Sequence, residues 1–287
     1  MGETGVVLAS GYIGIIDAAL VRWLTQQKAH TARLVVRVTQ SLFEPLLPKE
    51  HLEQFLTALE PVDAVLSQGC TCPEMARQYG FTIGSVTTCA WPEAELLSYS
   101  MARICKHCVD LTEAASAGKL TSLAALRDRY GPLPGRRRMT VGVVSGSFDV
   151  IHSGHIRLLQ AAKQLSDVLV VLAMSTQSVQ MQDKNCNGDR PIYSEKDRAE
   201  VLAALLPVDH IVMFDERDCR ACLQSFCPDR FIKSEFDRLR PIVRAEAALV
   251  ENLGGETLYL ANHHPGYSST TIIRYIREQA AARLAAD

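Results

Sequence analysis

No apolar run in the 287-residue chain approaches the ~20 residues that cross a bilayer as a helix. The most apolar stretch near the start, Gly5 to Ile16, carries no basic flank and ends at Asp17, so it matches neither a secretory leader nor a span. Val6 stands where a myristoylation signal needs Ser or Thr. The chain also lacks an excess of either charge. Its 30 Lys and Arg are interspersed with 32 Asp and Glu, for a net charge of −2. The absence of a basic stripe argues against nucleic acid and anionic membrane surfaces as partners. No Gly-x-Gly-x-x-Gly follows a first strand, which argues against a dinucleotide-dependent oxidoreductase. The expectation is a soluble, cytoplasmic protein acting on a small ligand, with its nine cysteines as reduced thiols.

Some of those cysteines are spaced as zinc ligands sometimes are: Cys70-x-Cys72, Cys105-Lys-His-Cys108, and Cys219-Arg-Ala-Cys222 with Cys227 behind. Cys70, Cys72, Cys89, Cys105 and Cys108 form the candidate cluster. No second pair completes a zinc ribbon, and free cysteine commonly behaves as a small buried hydrophobe, so no metal site is assigned.

An internal repeat is present. Val6-Val-Leu-Ala-Ser-Gly11, a helical stretch and Leu34-Val-Val match Val143-Val-Ser-Gly146, a helical stretch and Leu169-Val-Val, with Gly11/Gly146 and Leu34/Leu169 both offset by 135. Ala58-Leu-Glu-Pro-Val-Asp63 then corresponds to Ala204-Leu-Leu-Pro-Val-Asp209 at an offset of 146, so the first copy is 11 residues shorter in between. The second copy fills that interval with the polar loop Lys184-Asn-Cys-Asn-Gly188-Asp-Arg190-Pro. More weakly, Gln78 to Val86 parallels Asn252 to Leu260, and Glu93 to Ile104 parallels Ser269 to Ile276. Between the copies, Leu120, Leu123 and Leu126 suggest a connecting helix. Gly131-Pro-Leu-Pro-Gly135-Arg-Arg-Arg reads as a solvated linker.

In the second copy, Thr140 to Val144 and Val168 to Met174 read as strands buried on both faces of a parallel sheet. Ile156, Leu158, Leu159, Ala162 and Leu165 mark one face of the helix between them. Glu195 to Leu206 reads as a helix, His210 to Phe214, Arg230 to Lys233 and Thr257 to Leu260 as strands, and a helix closes the chain. This alternation predicts a doubly wound sheet with its ligand beyond the carboxyl ends of the strands.

The strongest local pattern is Gly146-Ser147-Phe148-Asp149-Val-Ile-His152-Ser-Gly154-His155, where a strand ends and a helix begins near Ser153. Two histidines three apart at a helix start can converge on one phosphate chain, beside free N–H groups and the positive end of the dipole. Gly146 leaves room for close backbone approach. A lone histidine is more often structural, but this pair directly after a buried strand points to a site.

The segment resembles the His-x-Gly-His signature of the cytidylyltransferase-like nucleotidyltransferases, and the likeness runs over essentially all of Val141 to Ile276. Lys184 with Gly188-Asp-Arg190-Pro191 is similar to the family's lysine-bearing phosphate loop, Arg198 to an arginine on the next helix, and Gly266-Tyr-Ser-Ser269-Thr270-Thr271 to its hydroxyl-rich helix start. The resemblance implies in-line attack by an acceptor phosphate on a nucleotide α-phosphorus, with pyrophosphate released. His152, His155 and Lys184 would be catalytic. Gly146, Ser147, Phe148, Asp149, Gly154, Arg190, Arg198, Ser269, Thr270 and Thr271 would bind the nucleotide, and Mg²⁺ would ride on its phosphates. The run from Arg190 to Glu216 looks most like the adenylyltransferase domain of ADP-heptose synthases, favouring ATP and a sugar phosphate such as heptose 1-phosphate. The alternative is CTP with a polyol or amino-alcohol phosphate. Lys233-Ser-Glu-Phe-Asp237 stands where the family has Lys-Gly-Gly-Asp or Gly-Asp-Asp. That departure makes Lys233 and Asp237 the candidate acceptor contacts. Asn262-His263-His264 matches nothing in the family pattern.

The first copy has Asp17 and Leu20 where the second has His152 and His155, and it lacks the Lys184 loop. The fold expectation is therefore α/β, with two doubly wound, Rossmann-like nucleotidyltransferase domains of which the first is degenerate. The expected boundaries are 1–105, a helical connection and linker at 106–138, and a catalytic domain at 139–287. The first copy would pack as an internal pseudo-dimer partner, with a homodimer as the other arrangement. A non-catalytic nucleotide-binding regulator is the competing reading, and the retention of His152, His155 and Lys184 argues against it.

Overall fold

The computed structural model describes residues 12–13, 18–29, 34–37, 40–41, 49–66, 118–131, 133–135, 137–182, 188, 190–261 and 268–284. The chain divides into two compact units, Met1–Ala114 with Thr270–Asp287, and Ala115–Ser269. No helix of the described residues is long and apolar enough to cross a membrane. The cysteine cluster from Cys70 to Cys108, Lys184, His263 and His264 lie outside the described residues.

In the first unit, β1 (Tyr12–Ile13) pairs in parallel with β3 (Gln40–Ser41), and β2 (Val35–Arg37) with β4 (Ala64–Leu66). Helices α1 (Ala18–Ala29) and α2 (Lys49–Thr57) intervene. Val21 and Leu24, three apart on α1, are fully buried, as are Leu34, Val36, Leu56 and Leu59. The carboxylate of Asp63 accepts from the backbone N–H of Leu34 and pairs with Lys28.

Near the start of the second unit, the N–H of Thr121 donates to the carbonyl of Ile211 at 2.9 Å. Leu120 is exposed and forms a parallel bridge to Ile211 rather than joining a helix, because Ser122 caps α3 (Leu123–Tyr130) one turn later. The sheet follows as β5 (Val141–Gly146), β6 (Val168–Met174), β7 (His210–Phe214), β8 (Arg230–Ser234) and β9 (Glu256–Leu260), all parallel, in the order β7-β6-β5-β8-β9. The order reverses between β5 and β8, so ligands are expected beyond the carboxyl ends of those two strands. The connecting helices are α4 (Ser153–Gln164), α5 (Thr176–Gln180), α6 (Glu195–Ala203), α7 (Arg220–Phe226) and α8 (Pro241–Asn252), and α9 (Ser269–Leu284) ends the chain.

One face of the sheet carries a core of Val141, Val143, Val170, Leu172, Phe231 and Phe214 against Leu126, Leu223, Phe226 and Val250 of the helices. Ile156, Leu159 and Ala162 give α4 its buried stripe at helical spacing. Sequence periodicity missed α7 and α8, although Pro241 at the helix start and the buried Val243, Glu246, Ala247 and Val250 supply the signal. Cys219, Cys222 and Cys227 are free and buried, and burial raises the Cys222 thiol to about 11.

In the segment after α3, Leu133, Gly135, Arg138 and Met139 are exposed, but Arg137 is not a solvated arginine. Arg137, whose side chain is 2% exposed, donates to the carbonyls of Gly131 (2.9 Å), Cys227 (2.8 Å) and Phe226 (2.7 Å), and pairs with Asp229 at 3.1 Å. The planar fork satisfies carbonyls at the end of α7 and lies over the Phe226 ring at 4.7 Å. Through α3 and Arg137, residues from Ala115 onward belong to the second unit.

Four elements of the first unit, α1, β2, α2 and β4, fall on elements of the second under the sequence offsets, whereas β1 and β3 do not. Adding 135 turns α1 (Ala18–Ala29) into α4 (Ser153–Gln164) and its buried Val21 and Leu24 into the buried Ile156 and Leu159. Adding 146 turns α2 (Lys49–Thr57) into α6 (Glu195–Ala203). The register Val35↔Ala64 likewise becomes Val170↔His210. Asp209, counterpart of Asp63, accepts from the N–H of Leu169 at 2.7 Å and pairs with Lys163 at 2.6 Å, the counterparts of Leu34 and Lys28.

Candidate active site

The signature loop leaves β5 at Gly146 and turns at Phe148, whose φ of +48° lies in the left-handed region that costs a non-glycine residue on the order of 1 kcal/mol. Phe148 is buried against Gly146, and a Cβ on Gly146 would lie 3.2 Å from its ring. The small residue therefore makes room for the aromatic ring, where the sequence suggested room for a nucleotide. The Phe148 ring also tilts against His155, with centroids 5.4 Å apart.

His152 holds the N-cap position of α4 in extended conformation, and its backbone N–H donates to Nδ1 of His155 at 3.3 Å. The two imidazoles lie 3.9 Å apart, centroid to centroid. Because a backbone N–H can only donate, Nδ1 of His155 is unprotonated and the ring proton is on Nε2. Burial, and secondarily the positive charge of Arg190, lowers the pKa of His155 to about 4. At neutral pH the residue is a neutral Nε2–H donor at a helix N-terminus, poised to gain affinity for a proton when an anion arrives.

Three segments are tied to this loop. The Asp149 carboxylate accepts from Nε of Arg190 at 3.1 Å and from the N–H groups of Ile192 (2.8 Å) and Tyr193 (3.0 Å). Nη1 of Arg198, on α6, donates to the carbonyls of Ser147 (2.6 Å) and Met174, and its Nε donates to Tyr193 at 3.2 Å. Oγ of Ser269 donates to the carbonyl of Val150 at 2.8 Å. His152, His155, Arg190, Arg198 and Ser269 thus gather around residues 146–155, as the sequence pattern suggested. Asp149, Ser269 and the Nε and Nη1 groups of Arg198, however, are engaged with backbone and with Arg190 and fix the loop from within. Thr270 is exposed and Thr271 half-buried in the first turn of α9.

Lys233 is buried at the end of β8. Its ammonium donates to the carbonyl (3.3 Å) and hydroxyl (3.1 Å) of Ser145 and lies 3.8 Å from Glu246. Asp237 is engaged with Arg240 at 3.2 Å, on a turn where Phe236 and Leu239 are largely exposed. Sequence reasoning missed Ser145 and Glu246, and singled out Cys219 only for its zinc-type spacing to Cys222. The signal available was a carboxylate on the apolar stripe of α8.

Residues 143–275 match the cytidylyltransferase-like family model. Curated relatives include the bifunctional protein HldE of Helicobacter pylori strain J99, 30% identical over 263 residues, covering 84% of this chain and 53% of that protein. The bifunctional protein HldE of Paramagnetospirillum magneticum is 32% identical over 223 residues, covering 76% of this chain and 42% of that protein. The chain thus spans about half, or less, of the relatives it matches. Among solved structures, the lipopolysaccharide core biosynthesis protein from Thermoplasma volcanium GSS1 aligns at 23% identity and a TM-score of 0.37, covering 44% of this chain and 99% of that one.

Proposed function

With residues 143–275 belonging to the cytidylyltransferase-like family, we propose that the protein is a nucleotidyltransferase that moves a nucleoside monophosphate from a triphosphate, ATP favoured, to a sugar phosphate such as heptose 1-phosphate. An acceptor phosphate oxygen forms a bond to the α-phosphorus as the bond to the β-bridging oxygen breaks, and pyrophosphate departs. Catalysis of this kind rests on positioning and charge stabilisation. The observation that carries the reading is the His152–His155 pair: the Nδ1 contact leaves a neutral Nε2–H at the start of α4, where a phosphate chain would also meet the helix N-terminus. Lys184 would neutralise the leaving pyrophosphate. The run from Arg190 to Glu216, which resembles the adenylyltransferase domain of ADP-heptose synthases, supports a sugar-phosphate acceptor more than a polyol phosphate.

Mg²⁺ fits this arrangement as a passenger of the triphosphate. The loop's carboxylate, Asp149, is committed to Arg190 and two backbone N–H groups, and no group of three or more His, Cys, Asp or Glu among the described residues is arranged to hold a metal. When bound with the nucleotide it would screen phosphate charge.

The first unit reads as a degenerate second copy. Coincident helix bounds, strand register and the Lys28–Asp63 and Lys163–Asp209 contacts support this, and Leu20 in place of His155 makes it inert. Pyrophosphate release measured with ATP and with CTP over a panel of sugar and polyol phosphates tests the activity. Turnover with ATP and a sugar phosphate, abolished in His155→Ala, is the expected result. A His155→Ala variant as active as the parent overturns it.

A further inference from the structure

The signature strand is paired unequally on its two sides. β5 and β6 stay paired to Gly146↔Ala173, whereas the pairing of β5 with β8 consists of Gly142↔Arg230 and Val143↔Phe231. Beyond Val143 the two strands part, and among the described residues no ladder pair joins Ser145 or Gly146 to β8. The last residues before the signature loop are therefore anchored by backbone on one side only. On the other side the side chain of Lys233 spans the gap, donating to both the carbonyl and the hydroxyl of Ser145 at 3.3 and 3.1 Å.

A second charge stands behind the first. Glu246 of α8, 3% exposed, places Oε2 at 3.8 Å from the Lys233 ammonium, while its Oε1 accepts from the backbone N–H (3.3 Å) and Sγ (3.2 Å) of Cys219 at the start of α7. Burial, with Glu246 the next cause, pushes the Cys219 thiol far above its ordinary value, so it stays protonated and donates. A polar column, Cys219 to Glu246 to Lys233 to Ser145, thus crosses a face otherwise built from Val143, Phe231 and Val250. Burying two charges costs more than filling the same volume with apolar side chains, so such a column is poorly explained as a stability device.

We propose that Lys233 and Glu246 are positioning residues of the nucleotide site. The ammonium replaces the missing β5–β8 ladder and fixes Ser145 and Gly146, from which the His152–His155 loop springs, and the carboxylate holds the ammonium in place. This deepens and rests on the nucleotidyltransferase reading, and it gives Lys233 a role through Ser145 in place of contact with the acceptor.

The test is ATP affinity by calorimetry together with the thermal midpoint, on the full chain, for Lys233→Met, Glu246→Gln, the double variant and Ser145→Ala. Each single change at the ion pair lowers the midpoint and weakens ATP binding by about 10-fold, the order expected of a small displacement of binding groups. In the double variant the midpoint recovers, because no lone buried charge remains, but ATP affinity stays about 10-fold down because Ser145 still lacks its donor. Ser145→Ala, which keeps the ion pair, weakens ATP by roughly 3-fold at an unchanged midpoint. If the double variant and Ser145→Ala both bind ATP as the parent does, the column is structural only and the proposal is overturned. A parent that binds neither ATP nor CTP sinks the underlying functional reading, and the proposal with it, a failure distinguishable by the behaviour of the parent alone.

Discussion

Asp149 holds Arg190 at 3.1 Å across 41 residues of chain, with the carboxylate side chain 0% and the guanidinium side chain 11% exposed. The same carboxylate receives the N–H groups of Ile192 and Tyr193, so the segment from Arg190 to Tyr193 is fastened to the signature loop at one atom group. The consequence is a coupling between two parts of the site that are far apart in sequence.

Breaking that fastening is therefore expected to cost both stability and turnover. Asp149→Ala should lower unfolding free energy by about 3–5 kcal/mol, the range for removing one partner of a buried ion pair. Asp149→Asn, which keeps an acceptor for the N–H groups, should lose less. Where the variant folds, kcat/KM should fall about 100-fold through misplacement of the Arg190 segment. Urea unfolding and pyrophosphate release measure the two effects, and an Asp149→Ala protein of parental stability would show that the contacts carry no load.

The depressed pKa of His155 has a definite sign in the pH dependence of stability. In the folded protein the ring stays neutral down to about 4, whereas the unfolded chain takes up a proton near 6.5. Below that value the unfolded state binds more protons, so stability is complete above about pH 6.5 and is lost as pH falls toward 4, by up to about 3 kcal/mol. Denaturation curves at pH 7 and pH 4.5 should differ accordingly, and His155→Gln should flatten the difference. Bound ATP should move the His155 titration upward in ring-proton NMR, since an anion favours the protonated ring. A His155 that titrates near 6.5 in the free protein would contradict the geometry.

These two sites divide what sequence can convey from what it cannot. Val168 to Met174 is legible as a strand because a β-branched apolar run bounded by polar residues fits a sheet buried on both faces. The histidine pair is legible because residues three apart at a helix start are neighbours whatever the tertiary fold. Arg198 and Lys233 are legible only as cations near a phosphate site. That they turn inward to Ser147, Met174 and Ser145 depends on strands and loops meeting across the sheet, which no local pattern encodes. Glu246 is an intermediate case: Val243, Ala247 and Val250 place it on the buried stripe, but its partners come from β8 and the start of α7.

Arg137 looks like one of three solvated arginines in sequence, yet it joins the end of α7 to the segment before β5. Arg137→Ala should destabilise by about 3 kcal/mol, since it leaves carbonyl groups and Asp229 without a buried guanidinium partner. Arg137→Lys should recover less than half of that loss, because a point charge cannot serve several carbonyls in one plane. Urea midpoints at constant m-value measure both, and equal stability of the Lys variant and the parent would deny the fork its role.

The matched contacts of the two units make a symmetric prediction. Asp63 and Asp209 each accept the N–H that opens a strand, from Leu34 and Leu169, and each pairs with a lysine at the end of the helix preceding that strand, Lys28 and Lys163. The backbone contact to a charged acceptor is the stronger part, worth about 1–2 kcal/mol, and the lysine, about one-third exposed in both cases, adds a few tenths to about 1. Asp63→Ala should therefore speed hydrogen exchange at the Leu34 amide and Asp209→Ala at Leu169, by about 10-fold each, while Lys28→Ala and Lys163→Ala change little. Because Asp63 lies in the copy that has Asp17 and Leu20 where the second has His152 and His155, its loss should leave pyrophosphate release by the second unit unchanged at temperatures where the chain is folded. A strong response at Leu169 with none at Leu34 would mean that the shared geometry of the two units is not matched by shared energetics, and the reading of the first unit as a folded second copy would fail.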